Sequence, residues 1–303
     1  MKIMITGSSG MIGRALVKSL APMHQLILVG RNKNLLQKKF PICKFLSWDE
    51  LPNFSENIDV IIHLSGENIA NHRWSASVKS KIIHSRVDTA LQLLNWVKGR
   101  KIKPRILATN AIGYYGFSEK AMDEDTIIDE QHPQNFSQQV AFAWQNVWKN
   151  TELNLSICWM RFGVVLEKNR GMLKKLGIPF YLGLGTIVGS GEQQISWIQI
   201  DDLANAIHWL LDHPDIEGPM NLVAPNPVPQ EKFAQALAQV LHRPLWLNMP
   251  KPLVRCLFGQ MGQELLLSGQ RIYPKRLLAS GFTFQYPTIH DALMHEFNPS
   301  DVF

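Results

Sequence analysis

The sequence predicts an α/β protein: a doubly wound parallel sheet followed by a smaller C-terminal lobe. Three observations support this prediction. Short apolar runs alternate with helical patterns through the first half, an apolar N-terminal strand is followed directly by closely spaced glycines, and glycines and prolines become denser after Gly163. Strands that are separated by helices of this length pair in parallel, with helices on both faces. A chain of 303 residues has room for one large domain and a second lobe.

Hydrophobic periodicity places the individual elements. The last predicted strand, at residues 196–200, is followed by a helix that Asp201 or Asp202 is predicted to cap at its N-terminus. Strands are predicted at residues 2–5, 25–29, 44–47, 59–64, 105–109, 155–160 and 196–200, and helices at 11–20, 76–98, 137–150, 203–211, 230–241, 252–267, 274–279 and 288–297.

Composition excludes several classes of protein. The net charge is +6, but Lys and Arg are scattered without a block of five or six, so no nucleic-acid tail is expected. Three distant cysteines, Cys43, Cys158 and Cys256, fit neither a disulfide framework nor a metal motif. They indicate reduced thiols in a cytoplasmic protein. No apolar run reaches the roughly 18 residues of a membrane span. The N-terminus has no leader-like pattern, and no membrane partner is expected.

The stretch TGSSGMIG has the spacing of a dinucleotide fingerprint. It places Gly7, Gly10 and Gly13 between a strand and a helix. Gly7 permits the turn, Gly10 lets a pyrophosphate approach the backbone, and Gly13 lets the helix pack closely on the strand. The first helical residues, Met11 and Ile12, lie where unpaired N–H groups meet the phosphates. The alternative is an ordinary strand-turn-helix without a ligand.

The end of the second strand predicts which nucleotide is bound. NAD sites usually carry an acidic residue there for the ribose 2′-hydroxyl. This chain has Gly30 and Arg31, and no Asp or Glu occurs before residue 41. A guanidinium suits the 2′-phosphate of NADP. A plain surface arginine is the alternative, and the basic stretch 30–39 likewise fits either a phosphate role or a solvated loop and helix.

A series of motifs runs in order along the chain: TGSSGMIG, HLSGENI, RW with KIIxSR, GYYG, RFGVVL, FYLGLGTIVGSGEQQISWIQIDDLA, NLVAPNPVPQEKFAQAL, HRPLWLNMP and LASGFTFQYP. This series resembles the extended short-chain dehydrogenase/reductase superfamily, and more narrowly its atypical branch of "epimerase family proteins". The resemblance implies an NADP-binding Rossmann domain, at residues 1–165 joined by about 196–224, and a substrate lobe at 166–195 and 225–298. Most members of this branch have no known substrate, and some cyanobacterial and chloroplast relatives are associated with division.

The resemblance adds further cofactor residues. In similar proteins the fourth strand ends beside the cofactor, which implies that His63, Leu64 and Gly66 lie there. On the long helix after it, Lys81 and Arg86 could reach the ribose and phosphates. A solvated helix face is the alternative for both side chains.

The usual catalytic pair of this superfamily is missing. It consists of a Tyr, which transfers the proton, and a Lys four residues later. No Tyr here has Lys at that spacing, and the predicted helix 137–150 contains no Tyr. Tyr114 and Tyr115, which follow the fifth strand, are the candidate proton donors. The alternative is that one packs under the sheet and the other hydrogen-bonds a loop. Thr109 and Asn110 are candidates to polarise a carbonyl.

Two functions therefore remain open. The first is an NADP-dependent oxidoreductase or epimerase-like enzyme that acts on an unidentified small molecule without the Tyr-Lys pair. The second is a catalytically inactive NADP-binding sensor or interaction protein, linked through its relatives to cell division. A homodimer is left open. The glycine-rich stretch 183–191 is expected near the substrate, and Arg271 and Lys275 near a diphosphate if the substrate is a nucleotide sugar. The acidic residues 123–125 are expected to be solvated.

Overall fold

The computed structural model describes residues 1–297 and builds a central parallel sheet and a smaller lobe from short strands. Residue 298, the last of the predicted lobe, lies outside the described residues. The strands are β1 (Lys2–Thr6), β2 (Gln25–Gly30), β3 (Lys44–Ser47), β4 (Val60–His63), β5 (Arg105–Ala111), β6 (Ser118–Met122), β7 (Ile157–Phe162), β8 (Val164–Leu166), β9 (Gly185–Val188), β10 (Gln194–Ile195), β11 (Trp197–Gln199), β12 (Gly218–Leu222), β13 (Val228–Pro229), β14 (Leu245–Met249) and β15 (Gln270–Ile272).

The helices lie between these strands and dominate the lobe. A 3-10 turn, Ile112–Tyr115, directly follows β5. Within residues 1–297, no helix combines the length and apolarity that crossing a bilayer requires. The helices are α1 (Met11–Leu20), α2 (Lys33–Lys39), α3 (Ala76–Lys98), α4 (Phe136–Lys149), α5 (Gly171–Tyr181), α6 (Ile200–Asp212), α7 (Gln230–Val240), α8 (Lys251–Leu265), α9 (Lys275–Ala279) and α10 (Ile289–Phe297).

Seven parallel strands form the central sheet in the order β12-β7-β5-β4-β1-β2-β3. The predicted α/β, Rossmann-type fold class is thus confirmed. The strand order reverses at β1, from which β2 and β3 lie on one side and β4, β5, β7 and β12 on the other. In such sheets the crevice at this reversal, outside the carboxyl ends of the strands, is where ligands bind.

Alternate side chains of each central strand enter two different cores. Ile3 and Ile5 pack with α1 and α6 on one face of the sheet. Met4, between them, packs with α3 and α4 on the other. Because both faces are covered, the strands are continuously apolar rather than alternating, as expected for a parallel sheet. The two layers hold the carboxyl edge of the sheet in place.

The lobe is built from paired short strands and from α5, α7, α8 and α10. Strands β9 and β14 pair in parallel, and β10 pairs with β13 in the antiparallel sense. Helix α8 bends at Gly259, whose φ of 59° and ψ of −140° are not helical. A third core joins α5, α7 and α10. The division into core and lobe at the predicted residue numbers remains a prediction.

Three sequence-based expectations are corrected here. Strand β12 was not predicted, because it contains Gly, Pro and Asn, which are poor strand formers. The predicted strand 196–200 ends at Gln199, and Ile200 already begins α6. Neither Asp201 nor Asp202 caps that helix. Gln199 accepts from the N–H groups of both, at 2.5 and 3.2 Å.

Candidate functional site

The glycine turn between β1 and α1 is shaped by close backbone packing. Gly7 has φ of +71°, and a Cβ there would lie 2.7 Å from the carbonyl carbon of Leu64. A Cβ on Gly13 would collide with the Gly7 carbonyl and would lie 2.5 Å from Cα of Ser8. A Cβ on Gly10 would meet only the Gly7 carbonyl oxygen, at 3.2 Å. Gly7 and Gly13 therefore serve the fold, whereas the outer side of Gly10 is open.

The loop after β4 is tied to the end of β1. The Thr6 hydroxyl oxygen accepts from the N–H groups of Leu64 and Ser65, at 3.2 and 3.3 Å. Leu64 therefore lies against the glycine turn. The structure brings Gly66 to the same crevice, where its Cα faces the Arg86 side chain.

The residues after β2 divide into a packing residue and an exposed cation. A Cβ on Gly30 would lie 2.8 Å from the Leu36 side chain, so this glycine lets α2 pack on the sheet. Asn32 caps α2 by accepting from the N–H of Leu35 at 2.9 Å. Arg31 between them is exposed and makes no hydrogen bond or ion pair with the rest of residues 1–297. Its guanidinium is available to a ligand at the carboxyl edge.

His63 supports the site from inside the protein. Its side chain is fully buried, its Nε2 lies 3.2 Å from the Thr89 hydroxyl, and its ring meets Trp144 and Trp148 edge-on. Burial, and then the charge of Arg86, lower the pKa of His63 to about 3. The ring is therefore neutral at physiological pH. A direct side-chain contact with the cofactor does not fit this burial.

Arg86 lies under the loop that follows β4. Its Nη1 donates to the Ile82 carbonyl at 2.9 Å, and its guanidinium lies 5.0 Å from the centre of the Trp144 ring. Burial lowers its pKa to about 10, and Glu67 opposes the shift, so the side chain keeps its charge at neutral pH. A half-buried cation therefore lies beside Gly66. Lys81, one turn and a half earlier on α3, is exposed.

The two candidate tyrosines are held by protein partners. The Tyr115 hydroxyl donates to Asn221 Oδ1 and accepts from Arg161 Nη1, both at 2.8 Å. The Tyr114 hydroxyl donates to Glu130 at 2.7 Å. Burial and then Glu130 raise the pKa of Tyr114 to about 12, and burial raises the pKa of Tyr115. Both side chains are at most 6% exposed, so neither hydroxyl is presented to a ligand in this arrangement.

Thr109 and Asn110 differ in whether their polar side-chain atoms already have hydrogen-bond partners. Asn110 is buried, and its amide donates to the Ala141 carbonyl at 3.2 Å and to Gln145 at 3.3 Å. Its oxygen accepts from the N–H of Ala111 at 2.8 Å, so the side chain is fully used within the protein. The Thr109 hydroxyl is buried and has no partner among the described residues. Of this pair, only Thr109 keeps an unused polar atom.

Apolar side chains occupy the start of α4, the helix in which the Tyr-Lys pair was expected. Phe136 is 2% exposed and meets Trp74 edge-on with 4.8 Å between ring centres. Val140, four residues later, is buried in the same cluster as Met261 of α8. The side chains of Phe136 and Val140 therefore supply no proton donor.

Residues of the C-terminal lobe that sequence reasoning did not identify hold this part of the site. Glu264 accepts from the N–H groups of Phe136 and Ser137, at 3.2 and 3.0 Å, and from the Ser137 hydroxyl at 2.8 Å. Gln270 donates to the Ile112 carbonyl at 2.6 Å. These contacts join residues more than 120 positions apart, so no local sequence pattern signals them.

The acidic loop 123–125 is not uniformly solvated, which corrects the expectation. Glu124 is 7% exposed and accepts from the N–H of Asn221 at 2.9 Å, and burial raises its pKa. Asp125 pairs with Lys275 at 2.6 Å. Arg271 donates to the Tyr273 hydroxyl at 2.6 Å. Both basic residues named for a diphosphate are thus engaged within the protein.

The glycine-rich stretch forms tight turns. Gly183, Gly189 and Gly191 have φ of 75°, 67° and 75°. Gln193 closes the last turn by donating to the carbonyls of Val188 and Leu266, both at 2.8 Å. A substrate role for residues 183–191 stays a prediction.

Comparison with known proteins identifies relatives over nearly the whole chain. Residues 3–223 match the model of the NAD dependent epimerase/dehydratase family, and residues 249–296 match a domain of unknown function, DUF1731. The epimerase family protein YfhF of Bacillus subtilis is 32% identical over 299 residues, which cover 97% of each chain.

Solved structures agree with this assignment. The human epimerase family protein SDR39U1, crystallised with NADPH, is 29% identical and superimposes with a TM-score of 0.90, over 99% of this chain and 100% of that one. The UDP-glucuronic acid 4-epimerase of Bacillus cereus in complex with NAD is 16% identical with a TM-score of 0.77, over 98% of each chain, and shares the fold alone.

Proposed function

We propose that this chain, which belongs to the NAD-dependent epimerase/dehydratase family, binds NADP and acts as an oxidoreductase or epimerase-like enzyme on a small molecule without a Tyr-Lys pair. The assignment to the family supports a nucleotide-dependent, epimerase-like function. The choice of NADP over NAD, and turnover itself, are the parts that we add.

The proposed preference for NADP over NAD rests on Arg31. It is an exposed guanidinium at the end of β2, beside the glycine turn, and the first acidic residue of the chain is Asp49. A 2′-phosphate therefore meets a cation rather than a carboxylate, and an arginine fork binds phosphate well. The human relative crystallised with NADPH supports the same choice.

The residues at the crevice fit a dinucleotide. Helix α1 begins at Met11 without a side-chain cap, so the N–H groups of Met11 and Ile12 remain for phosphate oxygens. Gly10 leaves the approach open, and Leu64 and Gly66 form the opposite wall. Arg86 places a positive charge behind that wall. When bound, the nicotinamide supplies a hydride donor or acceptor.

Thr109 is the residue that we assign to the substrate. Its hydroxyl, near the end of β5, is buried and has no protein partner among residues 1–297. Once the crevice opens to it, this hydroxyl can orient a substrate oxygen by a hydrogen bond. Tyr114 and Tyr115 remain candidates only if their present hydrogen bonds open, because each hydroxyl is already paired.

A nucleotide titration tests the proposal directly. NADPH should raise the melting temperature more than NADH at equal concentration, because a ligand stabilises the state that it binds. Replacing Arg31 by Gln should remove most of this preference, at a cost of about 1–3 kcal/mol in NADPH binding. The matched control is Lys38→Gln on the same exposed segment. An equal response to both nucleotides in the native protein, or an unchanged preference in Arg31→Gln, would refute the assignment.

The second candidate is an NADP-binding sensor or interaction protein without turnover. Helix α4 favours it, because this helix contains no Tyr, and its Phe136 and Val140 are packed in an apolar cluster. The discriminating measurement is NADPH oxidation with a panel of carbonyl substrates under saturating cofactor. Turnover that is lost in Thr109→Val supports the enzyme, whereas tight NADPH binding without oxidation of any panel member supports the sensor.

A further inference from the structure

The C-terminal lobe exposes an apolar surface, here called the lobe face, which consists of Ile178, Tyr181, Leu182, Leu184 and Trp246. These side chains are between 46% and 71% exposed. They form one patch, because Ile178 and Leu182 are one helical turn apart and the Trp246 indole donates to the Gly183 carbonyl at 2.9 Å. Single exposed apolar residues are ordinary, but a contiguous patch marks a surface for a partner.

The two chain segments that form the lobe face carry charge of one sign. Residues 168–191 and 232–263 contain eight Lys and Arg and no Asp or Glu. The other 247 residues contain 23 basic and 25 acidic residues, so they carry a net charge of −2 and the two segments carry +8. The pairing of β9 with β14 joins the two segments, and Arg243 donates to the Tyr181 carbonyl at 3.0 Å. A partner of complementary charge is acidic.

Strand β14 adds an edge that can pair. Within residues 1–297 it pairs with β9 on one side and with no strand on the other. The far edge of β9 is covered, since the N–H of Val188 donates to Gln230 at 2.9 Å. The outer edge of β14 therefore offers backbone N–H and C=O groups beside the exposed Trp246. Such an edge accepts an additional strand.

We propose that the lobe face binds an extended, acidic segment of a partner protein, which adds to the outer edge of β14 and packs its apolar side chains on Trp246 and Leu182. The backbone edge favours a protein over a lipid surface, because lipid headgroups cannot pair with a strand. A second copy is disfavoured by charge. Two-fold pairing of β14 would bring the same basic segments of both copies together, and like charges that face each other disfavour such an interface.

This binding does not depend on the proposed nucleotide chemistry, so the two can fail separately. The test is selection from a display library of random peptides about twelve residues long, enough to form a strand. The full chain without added nucleotide is the target, and the double variant Trp246→Ser/Leu182→Ser is the counter-target. Both side chains are exposed, so the variant should keep its fold, which its melting temperature and circular dichroism spectrum verify.

The expected winners are acidic peptides with apolar residues at alternate positions. Their affinity should fall about tenfold or more in the double variant, as for the loss of a central aromatic anchor. N-methylation of alternate peptide amides should abolish binding, since it removes the donors that pair with β14. The control Ile127→Ser replaces a residue that is 96% exposed outside the lobe face and should leave the affinity unchanged.

Four outcomes would overturn the proposal. They are enrichment of neutral or basic peptides, equal binding by the double variant, full binding by the N-methylated peptides, and failure to enrich any peptide over the counter-target. Two further measurements test whether a lipid surface or a second copy of the chain binds the lobe face instead. Trp246-dependent binding to phosphatidylglycerol vesicles without peptide selection would indicate a lipid surface, and a concentration-dependent dimer lost in Trp246→Ser would indicate a second copy. Either result contradicts the proposal.

Discussion

Glu264 of α8 lies against the first turn of α4, where its carboxylate accepts the Ser137 hydroxyl at 2.8 Å and the Ser137 N–H at 3.0 Å. The two residues are 127 positions apart, and Glu264 is 6% exposed. A carboxylate at a helix N-terminus satisfies unpaired N–H groups and interacts favourably with the helix dipole. The region matched by the domain of unknown function thus stabilises the helix that borders the proposed substrate site.

Replacing Glu264 by Ala should lower the free energy of unfolding by on the order of 2 kcal/mol, because buried donors of α4 lose their acceptor. Glu264→Gln keeps one oxygen acceptor and should lose less. Urea denaturation measures both, with Glu192→Ala, an exposed acid in the same lobe, as the control. A wild-type midpoint in Glu264→Ala would show that α4 does not need this contact.

Gly10 and Gly13 should respond differently to the same substitution. Gly13→Ala forces a methyl group against the Ser8 backbone and should destabilise the fold, with a loss of soluble protein or a clearly lower melting temperature. Gly10→Ala meets only one backbone oxygen, at 3.2 Å, and should fold nearly normally. Its methyl group occupies the approach of the pyrophosphate, so NADPH affinity should fall about tenfold or more. Calorimetric titration measures this affinity. A Gly10→Ala variant that binds NADPH with native affinity would contradict this view of the site.

Some elements could be predicted closely and others could not. Helix α3 was predicted with its observed bounds, because apolar residues recur along one side. The structure adds a local cap, since the Ser75 side chain accepts from the N–H of Val78. The glycine turn was also predicted, because its conformation depends on residues that are close together in the sequence. Strand β12 was missed, since its place in the sheet depends on pairing with β7 rather than on its own composition.

The candidate catalytic residues also depend on contacts with distant segments, which the sequence did not reveal. Tyr115 was named because it follows β5, and its position after that strand is confirmed. Its partners, Arg161 and Asn221, lie on β7 and β12, which the chain brings together only when the sheet forms. Sequence spacing therefore located the residue but not the hydrogen bonds that now occupy its hydroxyl.

Removing the Tyr115 hydroxyl should mainly affect stability. Tyr115→Phe leaves Asn221 Oδ1 and Arg161 Nη1 without this partner inside the protein, which should cost about 1–3 kcal/mol in unfolding free energy. Tyr181→Phe, at a residue 48% exposed, is the matched control and should be nearly neutral. NADPH affinity should stay within about twofold, since neither partner lies at the glycine turn. A fully stable Tyr115→Phe that loses an established turnover would instead identify the hydroxyl as the proton donor.

The buried His63 should make the protein less stable at mildly acidic pH. Its pKa is lowered to about 3 in the folded state, whereas an unfolded histidine titrates near its usual value of about 6.5. Below that value the unfolded chain takes up a proton that the folded chain does not, so stability falls as the pH decreases towards 3, by at most about 1.4 kcal/mol per pH unit. His63→Phe cannot take up this proton, and its stability should depend less steeply on pH between 6.5 and 4.5. His72→Phe, at an exposed position without an ion pair among residues 1–297, is the matched control for the loss of a histidine. Chemical denaturation across this range measures the slopes, and equal slopes for His63→Phe and the native protein would show that His63 is not held neutral.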